Sequence, residues 1–254
     1  MNLSIEQLNL ADASVYETEG GRYDCFGHDA TFQGAYPLNR MRILLTHHFP
    51  LEQGPVGQYV ADLAQALQAN EHEVRVIAIG GRQVREGLTV RTLACSTANS
   101  RSALPFDVPW FGVEPEGDLT FERLTAEQFN TYRDVLRHEL DAEVASFDPQ
   151  IIHAQYVWLW GQLALETGVP YVLTAWSPEF VSRARDDRYR PLADQAAENA
   201  GRIFVPDEHV RREVLDSFDD VALRTVLLAN KVDSGLVAAL VNHYLAVLDE
   251  RFGT

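Results

Sequence analysis

MRILLTHHFPLEQGPVGQYVADLAQALQANEHEVRVIAIG, Met41 to Gly80, decides the fold. Ile43 to Thr46 is a short, nearly unbroken apolar run, the kind that fills a strand covered on both faces. The loop HFPLEQGPVG, His48 to Gly57, follows it. From Pro55 to Ala69 the apolar residues Val56, Tyr59, Val60, Leu63 and Leu67 recur at helical spacing, and Val74 to Ile79 is apolar again. A strand, a helix and a second strand in that order make a parallel pair joined by a crossover.

The same alternation continues downstream. Leu88–Leu93 reads as a strand, and a polar and aromatic loop spans roughly Ser96 to Leu119. Thr125 with Gln128 forms a capping box that opens a long helix. Its inner face is Phe129, Tyr132, Val135, Leu136, Leu140 and Val144. Strands follow at Ile151–His153, Tyr171–Thr174, Ile203–Val205 and Thr225–Leu228. Helices are expected near Trp158–Glu166, Leu192–Glu198, Asp207–Leu215 and after Asp233, where Leu236, Leu240, Tyr244 and Leu248 share one side. Apolar strands alternating with helices imply an α/β fold: a doubly wound, mostly parallel seven-stranded Rossmann-like sheet with helices on both faces. Residues 1–40 are polar and carry glycines and aromatics without a sustained period, so they read as a partly ordered N-terminal arm. Residues 41–233 form the domain, and 234–254 a C-terminal helix packing on it. In such sheets ligands lie beyond the carboxyl ends of the strands, which directs attention to the loops after Thr46, His153, Thr174 and Val205.

Composition narrows the partners. The chain has 254 residues, 46% of them apolar, enough for one substantial core. Its 37 acidic and 21 basic residues give a formal charge of −16, which argues against a nucleic-acid face. The nearest basic cluster, Arg183, Arg185, Arg188 and Arg190, is interrupted by Asp186 and Asp187 and reads as a solvated loop. Two cysteines, Cys25 and Cys95, lack metal-ligand spacing, so a reduced compartment is expected. No apolar stretch approaches the roughly 20 residues of a membrane span, and the acidic N-terminus lacks the basic flank of a signal peptide. A cytoplasmic protein is the expectation.

The order of motifs resembles a GT-B glycosyltransferase of the family 4 type. Met41–Gly80 is similar to the opening of such a domain, and FDPQIIHAQYVWLWGQLALETGVPYVLTAW, residues 147–176, to its middle. AENAGRIFVPDEHVRREVL (197–215) and TVLLANKVD (225–233) are similar to its close. The resemblance implies two Rossmann-like domains facing a cleft, the N-terminal one recognising the acceptor and the C-terminal one holding a nucleotide-sugar. This chain stops at Thr254, so the resemblance extends to the N-terminal, acceptor-side domain only.

Several matched positions depart from the family pattern. The turn that usually reads Gly-Gly is Gly54-Pro55 here. Proline suits the first turn of a helix but removes one anion-binding N–H. The amides of Val56 and Gly57 remain, so both a purely structural turn and a residual anion site stand open. His153 matches the first histidine of H-x-H, while the second position is Gln155, which exchanges hydrogen bonds but not protons. His153 is either a satisfied core histidine or a ligand contact. The family's T-x-H-G is Thr174-Ala175-Trp176-Ser177; an indole cannot shuttle the proton an imidazole can, and Ser177 adds bulk where a glycine is usual. Pro206 replaces the serine of a V-S pattern, and Asn230-Lys231-Val232-Asp233 stands for N-G-V-D. The expected substrate-binding residues are Gly54, Gly57, His153, Gln155, Trp176 and Ser177, with no catalytic residue named.

Other constellations are weaker. His47 and His48 are adjacent and point opposite ways in an extended segment, so they are not expected to share a metal. No nucleophile elbow and no G-x-G-x-x-G after a strand is found, so neither metal nor cofactor is expected. Tyr156, Trp158, Trp160, Trp110 and Phe111 could stack on sugar rings, cover a protein interface or plug a closed cleft. Two functions fit. One is a glycosyltransferase-like acceptor-side domain, not an independent transferase, that acts with a separate donor-binding subunit on sugar from a nucleotide-sugar. The other is a non-catalytic binding or assembly protein derived from a glycosyltransferase. The expected partners are accordingly a donor-binding subunit or a second copy, with a sugar or nucleotide-sugar as ligand.

Overall fold

The computed structural model describes residues 16–18, 21–23, 40–80, 86–94, 103–111, 119–229 and 231–253, without the side chains of Arg183 and Arg185. Cys25, Cys95, Asn230 and the arm aromatics Phe26, Phe32 and Tyr36 lie outside them. By its contacts the chain divides into residues 1–38 and 39–254. In the first unit, β1 (Tyr16–Thr18) pairs antiparallel with β2 (Gly21–Tyr23).

The second unit is built on β3 (Arg42–His47), whose residues from Ile43 on are fully packed, and on β4 (Glu73–Ile79) parallel to it. Between them runs α1 (Gly54–Ala69), which buries Tyr59, Val60, Leu63 and Leu67 as the helical spacing requires. The sheet continues through β5 (Thr89–Leu93), β6 (Ile151–Gln155), β7 (Tyr171–Thr174), β8 (Ile203–Val205) and β9 (Thr225–Leu227). Its order is β5-β4-β3-β6-β7-β8-β9 and every pair is parallel. This is the seven-stranded, doubly wound sheet expected from the alternating pattern.

The long helix α2 (Ala126–Phe147) starts where the capping box places it. The Gln128 amide donates to Thr125 Oγ1 at 3.1 Å, and the Thr125 amide donates to Gln128 Oε1 at 2.9 Å. Together they satisfy two N–H groups that the helix itself leaves free. Tyr132, Leu136, Leu140 and Phe147 form its buried stripe, while Glu143 pairs with Arg75 of β4 at 2.9 Å. Next come α3 (Trp160–Thr167), α4 (Ser177–Arg185), α5 (Arg190–Asn199), α6 (Glu208–Ser217) and α7 (Ser234–Phe252).

Strand register sorts these helices. Leu45 lies opposite His153, and His153 opposite Val172, so their side chains share one face. Tyr244 of α7 reaches His153 there. The other face carries Leu173, against which Gly161 of α3 packs so closely that a Cβ would meet the leucine at 2.8 Å.

The basic segment differs from the solvated loop the sequence suggested. Arg183 and Arg185 belong to α4, and Arg190 opens α5. Pro178 and Pro191 sit in the first turns of these helices, where a missing N–H is harmless. Arg188, between them, clamps the connection: its guanidinium grips Asp186 and donates to the carbonyl oxygen of Leu124 at 2.8 Å. Among the described residues, no helix is long and apolar enough to cross a membrane.

Candidate functional site

The strand order reverses at β3. The chain passes from it to β4 and β5 on one side, then returns to β6 on the other. Ligands of open parallel sheets settle beyond the carboxyl ends of the strands at such a reversal. Thr46 to Phe49, Gln155 to Trp160 and Ala175 to Ser177 meet at this end. A shallow concavity lined by Arg40, Gln68, Glu71 and His72 lies at the opposite, amino end.

The first loop keeps its turn for packing reasons. Gly54 takes φ +70° and is exposed, a conformation open to glycine at little cost. Gly57 is buried, and a Cβ there would lie 2.7 Å from the Leu51 carbonyl oxygen and 2.8 Å from that of Pro50. That glycine lets α1 seat against the loop backbone. Pro55 supplies no N–H in the first turn, and Gln53 adds no side-chain cap.

His153 is fully buried at the centre of a hydrogen-bonded chain. Its Nδ1 is 2.6 Å from Tyr244 Oη and its Nε2 is 2.6 Å from Thr174 Oγ1. One ring nitrogen donates and the other accepts, so the neutral imidazole is satisfied twice. Burial pulls its pKa down to about 3. Gln155, two residues on, accepts the Trp176 indole N–H at 3.1 Å through Oε1. Trp176 is held edge-on by Tyr59 of α1, with ring centroids 5.5 Å apart. Ser177 opens α4 at the rim and is half-buried. The structure thus brings Gln155 and Trp176 into contact, puts Ser177 beside them, and sets His153 deeper in the same face. Gly54 and Gly57 belong to the neighbouring loop.

Glu179, which the sequence reading missed, ties two of these loops together. Its buried carboxylate accepts the Val157 amide at 2.7 Å through Oε2 and the Trp176 amide at 3.1 Å through Oε1. Burial pushes its pKa up to about 8, against the pull of the amides of Trp176, Val157 and Trp158. The signal was present: a Ser-Pro-Glu segment after a strand is a helix start with an acid in its first turn.

On the other side of β3 the loops close into an aromatic cluster. His48 donates through Nε2 to the Trp158 carbonyl oxygen at 3.3 Å, so its Nδ1, 3.0 Å from Tyr132 Oη, is the acceptor. Phe111 packs on Phe121 and Tyr156 with centroids 4.5 and 4.6 Å apart. Trp110 stacks on Phe49 at 5.1 Å, and Trp158 on Tyr189 at 4.0 Å. His47 lies against Tyr156 at 5.9 Å. Burial draws His47 and His48 down to about 3, so both are neutral.

Hydrogen bonding at this end is incomplete. Thr46 Oγ1, both nitrogens of His47, Gln155 Nε2 and the indole nitrogens of Trp158 and Trp160 are buried without a partner. A buried polar atom left unpaired costs about 1–3 kcal/mol, so such a concentration marks a special place. Among the described residues, no group of three or more His, Cys, Asp or Glu side chains is arranged to hold a metal ion.

With this geometry in place, comparison with known proteins fixes the relationship. The glycosyl transferase 4-like domain matches residues 54–231, well over half of the chain. The chain belongs to that family. Among solved structures, this glycosyl transferase 4-like domain is similar to sucrose-phosphate synthase from Thermosynechococcus elongatus, at 17% identity and a TM-score of 0.50, over 75% of this chain and 48% of that one. That likeness supports the fold: the sheet is a GT-B Rossmann-like half. A second sucrose-phosphate synthase chain from the same organism matches at 15% identity and a TM-score of 0.48, over 83% of this chain and 99% of that one. The UDP-GlcNAc 2-epimerase of Methanocaldococcus jannaschii matches at 13% identity and a TM-score of 0.42, over 82% and 49%. This domain therefore spans about half the length of the synthase and of the epimerase. No curated protein matches the chain.

Proposed function

We propose that this chain is an acceptor-side glycosyltransferase domain that is not a transferase by itself and acts with a separate donor-binding subunit, in a cytoplasmic setting. The observation that carries the reading is the state of His153. Its two nitrogens are engaged by Tyr244 and Thr174, and it is buried and neutral. A general acid or base needs reach to the substrate and a pKa near the working pH, and His153 has neither. At the next matched position stands Trp176, whose indole N–H is directed to Gln155. In this reading the domain supplies binding surface from Gly54, Gln155, Trp176 and Ser177, with Gly57 and His153 shaping it. Charge on the leaving diphosphate is stabilised by the partner.

The test is the native mass of the protein isolated gently from its own cells, followed by a transfer assay. The expected result is a stable complex with a Rossmann-like donor-binding chain, whose transfer rate rises saturably as this chain is added. A second reading, a non-catalytic binding or assembly protein, draws on the aromatic cluster of Trp110, Phe111 and Tyr156 at the ligand end of the sheet. A monomer or homo-oligomer, with no companion and no effect on transfer, selects that reading over the first.

A further inference from the structure

Two loops and a helix meet at one carboxyl group. Glu179, in the first turn of α4, is 1% exposed and accepts three main-chain N–H groups. Val157 at 2.7 Å and Trp158 at 3.4 Å reach its Oε2 from the segment between β6 and α3, and Trp176 reaches its Oε1 at 3.1 Å from the loop after β7. The first of these segments is strained. Tyr156 has φ +74°, a left-handed backbone that a bulky aromatic residue rarely adopts. Its amide donates to the Thr174 carbonyl oxygen at 2.8 Å, so β7 on one side and Glu179 on the other hold the turn in this conformation.

What the joint does depends on the charge of the carboxyl. Ionised, it accepts the three amides more strongly, which favours a tighter joint. Burial acts the other way, because a carboxylate taken out of water without a counter-ion is costly. Among the described side chains no cation faces it. From α6 it meets Glu213, whose Oε2 is buried without a partner and whose Oε1 lies 3.8 Å from His209 Nε2. Tyr156 stands beside it, Tyr59 of α1 packs on Trp176, and His48 reaches the Trp158 carbonyl oxygen. All three of these rings are neutral, with the tyrosines pushed up and the histidine pulled down by burial. Burial wins over the amides and raises the Glu179 pKa to about 8.

We propose that Glu179 is a proton-operated clasp: protonated, it fastens the turns after β6 and β7 to the start of α4, and on giving its proton to water it becomes hydrated and swings out, freeing the Val157, Trp158 and Trp176 amides. Gln155, Trp176 and Ser177 stand on the parts it fastens, so opening dismantles the surface assigned above to the acceptor. Linkage sets the size of the response. Swung out, the carboxyl ionises near its ordinary 4.5, against about 8 in place. Opening is expected to increase about fiftyfold between about pH 6 and about pH 8, and only about twofold over the next unit.

Hydrogen exchange of the full chain, followed amide by amide by NMR, reads the clasp once each rate is divided by the intrinsic rate at that pH. The protection of Val157 and Trp176 is expected to fall about fiftyfold over that interval. Val76 and Ile77 of β4 exchange only with the whole fold, where the gain from His47, His48 and His153 offsets the loss from Glu179, so they should change by no more than about threefold. In Glu179→Gln, which cannot ionise, the protection of Val157 and Trp176 should not depend on pH. Glu213→Gln leaves the three amide bonds intact and removes the facing charge, so the fall should shrink and level off at lower pH; it supplies the test should Glu179→Gln fold poorly. Flat protection at Val157 and Trp176 in the wild-type chain overturns the proposal, as does a fall that survives Glu179→Gln or one that Val76 and Ile77 share in full. The chain is measured alone, which separates this outcome from the acceptor-side reading. A donor-binding complex together with flat protection keeps that reading and removes the clasp, and falling protection without a companion chain does the reverse.

Discussion

Mild acidification will destabilise this protein, because its core holds three neutral histidines. His47, His48 and His153 are drawn down to about 3 by burial, from an ordinary 6.5. A depressed histidine contributes stability that is fully present above its unfolded pKa and is lost as pH falls toward its folded one. Between about pH 7 and about pH 5 each of these rings costs about 2 kcal/mol, because the unfolded chain takes up a proton that the native state refuses. Glu179 works the other way. Its folded pKa is raised to about 8, so the native state holds its proton longer, and it returns about 2.5 kcal/mol over the same interval. The balance is a loss of about 3 kcal/mol, a large part of the 5–15 kcal/mol that holds a typical domain together. Urea unfolding followed by tryptophan emission at the two pH values measures it directly, and the midpoint should fall with an unchanged slope. Equal stability at both values, or ring resonances of these histidines titrating near 6.5 in the folded protein, would refute the reasoning.

Three further outcomes are expected. Tyr244→Phe removes the hydroxyl on His153 Nδ1, which sits 2.6 Å away; thermal unfolding should show a loss of about 1–3 kcal/mol, as for a buried polar atom left unpaired. Gly57→Ala forces a Cβ to within 2.8 Å of two carbonyl oxygens and should cost about 1–3 kcal/mol, whereas Gly54→Ala, with open space but φ +70°, should cost about 1 kcal/mol; the reverse order in denaturant midpoints would remove the packing argument for Gly57. Glu179→Gln turns an amide –NH₂ toward one of the three N–H donors and should lower stability at mildly acid pH, where Glu179 is un-ionised folded and unfolded alike, by about 1–3 kcal/mol. It should also abolish the part of the stability loss that appears in the native protein as pH rises from about 4.5 to about 8, which melting curves at mildly acid and mildly alkaline pH will detect.

The sheet was legible because it is written locally. Each central strand is a short apolar run, and α2 announces both its start, at Thr125 and Gln128, and its inner stripe. These signals depend on neighbours a few residues apart. The helix α4 was not read because Ser177 to Arg185 mixes charges and lacks a clear apolar period, and its placement depends on Glu179 gripping the amides of Val157 and Trp176 across two loops. The site residues show the same limit. His153, Gln155 and Trp176 could be picked out by their places after strands, yet His153 could equally be core or ligand contact until Tyr244, distant in sequence, was found against it.

By itself the sequence determined the class of fold, the strand order along the chain, the helix that carries its own cap, and the family resemblance at the strand ends. Those follow from periodicity, capping and motif order, which act over short stretches of chain. Only the tertiary structure decided which of the marked residues are satisfied and which are not. His153 was closed off by a hydroxyl from the last helix, Gly57 proved to be a contact with a loop backbone, and the unpaired groups of Thr46, His47, Gln155, Trp158 and Trp160 were gathered at one end. Hydrogen-bond satisfaction and burial depend on partners brought together by packing, and no local pattern specifies them.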